Sequence, residues 1–106
     1  MPKQKFDKYS LYIQAVQSPE TDIDFLIKTF YQLKSRRARS LREDFCGTFA
    51  LAHEWVQRSK EHWALALDLD PEALNWGKRN FYEPMEASQK KRLHVFQQDV
   101  RSALSK

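Results

Sequence analysis

The alternation of short strand-like segments with helical ones after residue 40 most constrains the fold of this chain. Three segments have the length and bounding turns of strands: 41–45, 63–67 and 93–96. Periodicity alone does not predict the first of these, because Arg42, Glu43 and Asp44 stand where a buried parallel strand is usually rich in Val and Ile. Between them, one helix is predicted to begin at Gly47 or Thr48 and another to cover 72–80. Strands that alternate with helices pair in parallel through right-handed crossovers. We therefore predict an α/β fold, a partial doubly wound parallel sheet of three strands.

Two amphipathic helices are predicted ahead of the first strand. Apolar residues recur at three- and four-residue spacing within 7–17 and again within 19–33. Ser18 can cap the second of these helices. We assign 1–40 to an N-terminal helical cap and 41–106 to the sheet-forming part. Apolar stripes on such helices serve packing by default.

The composition is that of a globular protein, with 42% hydrophobic and 30% charged residues. No apolar stretch approaches the roughly 20 residues of a membrane-spanning helix, and residues 1–5 lack the apolar core of a signal peptide. The single cysteine, Cys46, excludes an intrachain disulfide. A cytoplasmic location is expected.

The positive charge is concentrated before the first strand. Residues 1–40 contain eight Lys and Arg against four Asp and Glu, whereas 41–106 contain ten of each. The densest run, 34–39, can attract an anionic partner such as nucleic acid, although a solvated connector is the plainer interpretation. The less favoured alternative function is therefore a non-catalytic binding module that contacts nucleic acid through the N-terminal helices and 34–39.

Candidate ligand-binding residues follow each predicted strand, at the edge of a parallel sheet where ligands bind. Gly47 lets a ligand approach the backbone because it has no Cβ. Asp68 lies about 20 residues later, the spacing at which a carboxylate accepts ribose hydroxyls in nucleoside-binding βαβ units. Asp99 follows the third strand and can accept a hydrogen bond from an exocyclic amine.

The scarcity of glycine narrows the class of ligand. Gly47 and Gly77 are the only glycines, so neither a G-x-G-x-x-G turn nor a Walker loop is present. Dinucleotides and nucleoside triphosphates are therefore disfavoured. The remaining candidate is a ligand with an adenosine-like part and a small zwitterionic end.

Other reactive or polar residues have plainer roles. Asp70 is predicted to cap the helix that follows it. Cys46 has no paired base in the sequence, which favours a small packing residue over a nucleophile. His53 and His94 are isolated and lack metal-ligand spacing, so no metal site is expected.

Three runs of the chain, in order, resemble the motifs of class I S-adenosylmethionine-dependent methyltransferases. The first motif of that family ends in Gly-Cys-Gly-Thr-Gly, and 41–49 of this chain aligns with it on Cys46-Gly47-Thr48. The runs 66–74 and 95–100 resemble the second and third motifs. The resemblance covers about 41–100. It implies a Rossmann-like fold and S-adenosylmethionine as cofactor.

The resemblance also implies roles for individual residues. Glu43 takes the acid position of the first motif, and Gly47 borders the methionine part of the cofactor. Asp68 holds the ribose hydroxyls, and Asp99 with the Val100 backbone meets the adenine. The full set of expected cofactor-binding residues is Glu43, Asp44, Cys46, Gly47, Thr48, Asp68, Leu69, Asp99 and Val100.

Two departures from the family pattern concern the first motif. Phe45 and Phe49 stand where the family has its first and third glycines, which leaves the geometry of this turn open. Asp44 can also take the role given to Glu43.

The chain is expected to be a truncated or partial methyltransferase that retains the cofactor-binding half and is inactive alone. Catalytic residues are expected beyond Lys106, and the sequence does not identify the methyl acceptor. The third strand is expected to have an unpaired edge that can bind another chain.

Overall fold

The structure, a computed structural model, describes residues 18–101. The predicted helix over 7–17 lies outside this range. The helices are α1 (Pro19–Lys34), α2 (Ala50–Arg58), α3 (Pro71–Gly77) and α4 (Ala87–Arg92), with a π-helical turn at Lys78–Tyr82. The strands are β1 (Ser40–Asp44), β2 (Trp63–Asp68) and β3 (Leu93–Gln97).

The three strands form one parallel sheet in the order β1-β2-β3. In the register, Glu43 lies beside Ala66, and Ala66 lies beside Val95. The predicted α/β fold and its parallel sheet are confirmed. Within residues 18–101, β1 and β3 each pair with β2 alone, so the described sheet has an open edge at β1 as well as at β3.

The core lies between one face of this sheet and the helices. Its strand side is formed by small or branched residues that alternate along the strands, and α2 packs on them through Trp55 and Val56, both at most 2% exposed. Helix α1 contributes Ile23, which is completely buried. The strand residues of this cluster are Leu41, Ala64, Ala66, Leu93 and Val95.

Helix α1 is held against α2 by Arg58. The guanidinium donates to Asp24 Oδ1 at 2.6 Å and to the backbone carbonyl of Glu20 at 3.0 Å. Ser18 is the N-terminal cap residue as predicted, but its hydroxyl donates to the Thr21 hydroxyl at 2.9 Å rather than accepting from a helix amide.

Two helix boundaries differ from the prediction. Helix α2 begins at Ala50, not at Gly47 or Thr48, because Gly47 and Phe49 have left-handed φ values of 56° and 51° that a right-handed helix does not accommodate. The helix predicted over 72–80 is α-helical only to Gly77 and then widens into the π-helical turn.

The end of α2 is fixed by a residue far along the chain. Arg92, at the end of α4, donates from Nη1 to the carbonyls of Val56, Ser59 and His62 at 2.7–2.8 Å. These carbonyls lie where α2 ends and the chain turns toward β2, so the guanidinium holds this turn together. None of the helices described is long and apolar enough to cross a membrane.

Candidate functional site

The turn after β1 contains three left-handed residues at alternate positions. Phe45, Gly47 and Phe49 have φ values of 54°, 56° and 51°. These are the positions of the three glycines in the first methyltransferase motif, so the turn adopts a glycine-type backbone although two of its residues are phenylalanine. For a residue with a Cβ, this conformation costs roughly 1–2 kcal/mol.

The Asp68 carboxylate joins this turn to the end of β2. Its Oδ2 accepts the Gly47 N–H at 2.7 Å, and its Oδ1 accepts the Asp70 N–H at 2.8 Å. The backbone carbonyl of Asp68 accepts the N–H of Gln98, just past β3, at 3.0 Å. The turns after all three strands therefore meet at Asp68, and the predicted pair of Gly47 and Asp68 is in direct contact.

The geometry around Asp68 leaves capacity for a ligand. An ionised carboxylate has about four acceptor directions, and the two backbone amides occupy one on each oxygen. A Cβ placed on Gly47 would meet no atom within 4 Å, so the turn has open space beside it. These features fit a nucleoside ligand whose hydroxyls donate to Asp68.

Glu43 lies next to this carboxylate and accepts a hydrogen bond from helix α2. Its Oε1 accepts the N–H of Ala52, in the first turn of α2, at 3.1 Å. Phe49 is the N-cap residue of α2 and forms no side-chain cap, so the strand carboxylate satisfies a helix amide in its place. Burial raises the pKa of Glu43 from 4.5 to about 7, the Ala52 hydrogen bond opposes this rise, and the nearby Asp68 charge adds to it.

Asp44 lies apart from these groups. Adjacent strand residues face opposite sides of a sheet, and the Asp44 carboxylate pairs with Arg42 Nε at 2.7 Å. Leu69, directly after Asp68, is 60% exposed at the same edge of the sheet as the β1 turn.

Cys46 and Thr48 are buried within the turn. Burial, together with the charges of Glu43 and Asp68, raises the pKa of the Cys46 thiol to about 12. The thiol is therefore protonated at neutral pH and is a poor nucleophile. This agrees with the predicted packing role.

Asp99 and Val100 follow β3, one residue beyond the Gln98 amide that bonds to Asp68. Asp99 Oδ1 accepts the Arg101 N–H at 2.8 Å, and Asp99 Oδ2 accepts from Arg101 Nη2 at 3.0 Å. These hydrogen bonds to Arg101 hold the pKa of Asp99 below its usual value. Val100 is buried. The contact of Asp99 with a nucleobase stays a prediction.

Gly77 supports the site in a way that the sequence reasoning missed. A Cβ at Gly77 would lie 2.3 Å from the Thr48 carbonyl oxygen and 2.7 Å from Phe49 Cε1. Phe49 is completely buried and packs edge-on against Phe81, with ring centroids 6.2 Å apart. The phenylalanine in the third glycine position is thus accommodated by a glycine in the facing helix. The sequence signal for this close packing was an isolated glycine within a segment of helical periodicity.

No cluster of three or more His, Cys, Asp or Glu side chains suited to a metal ion occurs within residues 18–101. His53 stacks on Phe81 with ring centroids 4.5 Å apart, and His62 stacks on Trp55 at 3.9 Å. Both histidines therefore serve packing.

The chain has a Rossmann-like fold similar to that of S-adenosylmethionine-dependent methyltransferases of known structure. The plantazolicin methyltransferase BpumL, crystallised with S-adenosylhomocysteine and a substrate analogue, has a TM-score of 0.65 and 12% identity over 88% of this chain. CalS10, an S-adenosylmethionine-bound amino pentose methyltransferase from Micromonospora echinaspora, has a TM-score of 0.58 and 20% identity over 91%. The S-adenosylmethionine complex of the glycopeptide N-methyltransferase MtfA has a TM-score of 0.53 and 18% identity over 70%.

This chain covers 34%, 37% and 31% of those three proteins, in the same order. It therefore spans about a third of the length of these structures. No protein-family model and no curated protein sequence matches the chain.

Proposed function

We propose that this chain is the cofactor-binding half of an S-adenosylmethionine-dependent methyltransferase. The observation that carries the proposal is the Asp68 carboxylate, held at the sheet edge by the amides of Gly47 and Asp70. Its free acceptor directions and the open space at Gly47 suit a ligand with ribose hydroxyls.

In this proposal, the residues after each strand bind successive parts of the cofactor. Asp68 accepts the ribose hydroxyls, and Leu69 provides an exposed apolar side chain beside them. The turn around Gly47 borders the methionine part. Asp99 and Val100 meet the adenine, and the order β1-β2-β3 supports this arrangement along the sheet edge.

The remaining site residues support the turn. Glu43 ties β1 to the start of α2, and buried Cys46 and Thr48 fill the space beneath. The cofactor carries its own electrophilic methyl group, so the protein mainly positions two reactants. No residue within 18–101 is assigned to bind the acceptor or to remove a proton, and the location is proposed to be cytoplasmic.

Isothermal titration calorimetry of the full chain with S-adenosylmethionine tests this function. Removing a charged acceptor of ligand hydroxyls costs roughly 1.5–3 kcal/mol, so Asp68→Asn is expected to weaken binding about 10- to 100-fold. Asp70→Asn is the matched control, because Asp70 caps α3 through the amides of Glu72 and Ala73 and asparagine caps equally well. We expect its affinity to stay within about twofold of wild type.

Absence of binding by the wild-type chain would refute the proposal. Equal affinity of the Asp68→Asn variant and the wild type would refute the role of Asp68. Circular dichroism of each variant establishes that the fold is intact.

The alternative function, nucleic-acid binding through 34–39, has one observation in its favour. Lys34, Arg37 and Arg39 are exposed and form no ion pair among residues 18–101. Arg36 lies over the Phe30 ring, 5.0 Å from its centroid. Basic residues at a helix C-terminus also complement the helix dipole, so this surface alone does not require a ligand.

A further inference from the structure

Packing of the described residues does not explain why a phenylalanine stands at position 45. Its φ is 54° and its side chain is 80% exposed. Phe49 has a similar φ but is completely buried against Phe81 and Gly77, so burial offsets its backbone strain. Phe45 has almost no burial to offset the same strain. A strained, exposed aromatic residue beside a ligand site indicates that its side chain serves the ligand.

The position of Phe45 defines which part of a ligand it meets. It directly follows β1, and the next residue, Cys46, donates its N–H to the Leu67 carbonyl at 2.8 Å. Phe45 therefore lies beside the end of β2 that carries Asp68. Leu69 is the corresponding exposed apolar residue after β2. The turns that follow β1 and β2 thus each carry an exposed apolar residue at the sheet edge where Asp68 lies.

This inference rests on the proposed function. With the ribose at Asp68 on β2 and the adenine toward β3, the opposite end of the cofactor lies over the turn after β1. The sulfonium, which is a cation, joins the ribose to this methionine part of the cofactor. The face of an aromatic ring attracts cations, whereas an aliphatic side chain of similar size does not.

We propose that Phe45 is a cofactor-contact residue whose ring faces the sulfonium end of S-adenosylmethionine and favours it over S-adenosylhomocysteine. S-adenosylhomocysteine carries a neutral thioether in place of the sulfonium, so it lacks the attraction between the ring and the charged sulfur, while both ligands share the same α-ammonium group. The substitution of the motif's first glycine by phenylalanine thus provides discrimination between methyl donor and product at the expense of backbone strain.

Calorimetry with both ligands on the full chain tests this contact. Phe45→Leu keeps an apolar side chain and removes the π face, so Kd for S-adenosylmethionine is expected to rise about 3- to 10-fold. Kd for S-adenosylhomocysteine is expected to change by less than about twofold. The matched control is Phe25→Leu, because Phe25 is also an exposed phenylalanine, 66% accessible, but lies on α1.

A second variant, Phe45→Gly, separates binding from folding. Glycine adopts positive φ freely, so the ligand-free variant is expected to melt at or above the wild-type temperature. The same variant is expected to lose the preference for S-adenosylmethionine. If Phe45→Gly is at least as stable as the wild type but no longer distinguishes the two ligands, the Phe45 side chain contributes to ligand binding and not to folding.

An unchanged ratio of the two Kd values in both Phe45 variants would overturn the inference. An equal loss of affinity for both ligands in Phe45→Leu would also overturn it, because the ring would then be only an apolar wall. If the wild type binds both ligands and Asp68→Asn weakens both while the Phe45 variants keep the ratio, this inference alone fails. If the wild type binds neither ligand, the proposed function fails with it.

Discussion

Replacing Glu43 by glutamine is expected to stabilise the chain in a pH-dependent way. Burial raises the pKa of Glu43 from 4.5 to about 7. The folded state holds the proton of Glu43 more tightly than the unfolded state does. The protonated side chain therefore contributes to the stability of the fold, and this contribution is fully present below pH 4.5. It is lost as the pH rises through 7. At about 1.36 kcal/mol per pKa unit, the full loss is about 3 kcal/mol.

Glutamine removes this loss and keeps an oxygen that can accept the Ala52 N–H. Most of the loss falls between pH 5 and pH 8, so the stability gap between Glu43→Gln and wild type is expected to widen by about 2–3 kcal/mol over that range. In an Asp68→Asn background this widening of the gap with pH is expected to be smaller, because the Asp68 charge contributes to the raised pKa of Glu43.

Urea unfolding at pH 5 and pH 8, followed by tryptophan fluorescence, measures this gap. Groups that titrate in both proteins cancel in the difference between variant and wild type. A stability gap of the same size at both pH values would refute the reasoning. It would mean that Glu43 titrates as an exposed group and that its ionisation does not destabilise the fold.

Two further predictions concern packing and the basic run. In Gly77→Ala the new Cβ would lie 2.3 Å from a backbone carbonyl oxygen, and overpacking of this kind costs about 1–3 kcal/mol. After the roughly 1 kcal/mol gained in helix propensity is subtracted, a net destabilisation of up to about 2 kcal/mol is expected, and exposed Asn75→Ala in the same helix is the control without a clash. A thermal melt at or above wild type would contradict it. Neutralising Arg36, Arg37 and Arg39 is expected to leave S-adenosylmethionine binding within about twofold, because these side chains lie outside the site. Salt-sensitive RNA binding that this triple variant abolishes, measured by fluorescence anisotropy, would instead favour the nucleic-acid alternative.

The sequence predicted the sheet because the signals for its strands and helices lie in short stretches of the chain. Each strand is short and bounded by turn residues, and the Asp70-Pro71 pair gives a clear helix start, confirmed by the amide hydrogen bonds that Asp70 accepts. The spacing of Gly47 and Asp68 around one βαβ unit was enough to place them at the same sheet edge. The hydrogen bond between them, at 2.7 Å, confirms that expectation.

The conformation of the β1 turn was not readable from the sequence. Phenylalanine is disfavoured at positive φ, so local propensity argues against the backbone that Phe45 and Phe49 adopt. The turn depends on distant contacts, because Gly77 makes room for the Phe49 ring and the Asp68 carboxylate holds the Gly47 amide. These contacts join residues that are far apart in the chain.

The sequence by itself determined the order of strands and helices and the meeting of three polar turns at one edge of a parallel sheet. Turn residues, helix caps, the periodicity of the later segments and crossover handedness predict these features. Only the tertiary structure decided that Glu43 serves α2 while Asp44 faces away, and that Phe45 is left exposed beside the site. The physical reason is that burial, pKa and backbone strain depend on which distant residues pack together.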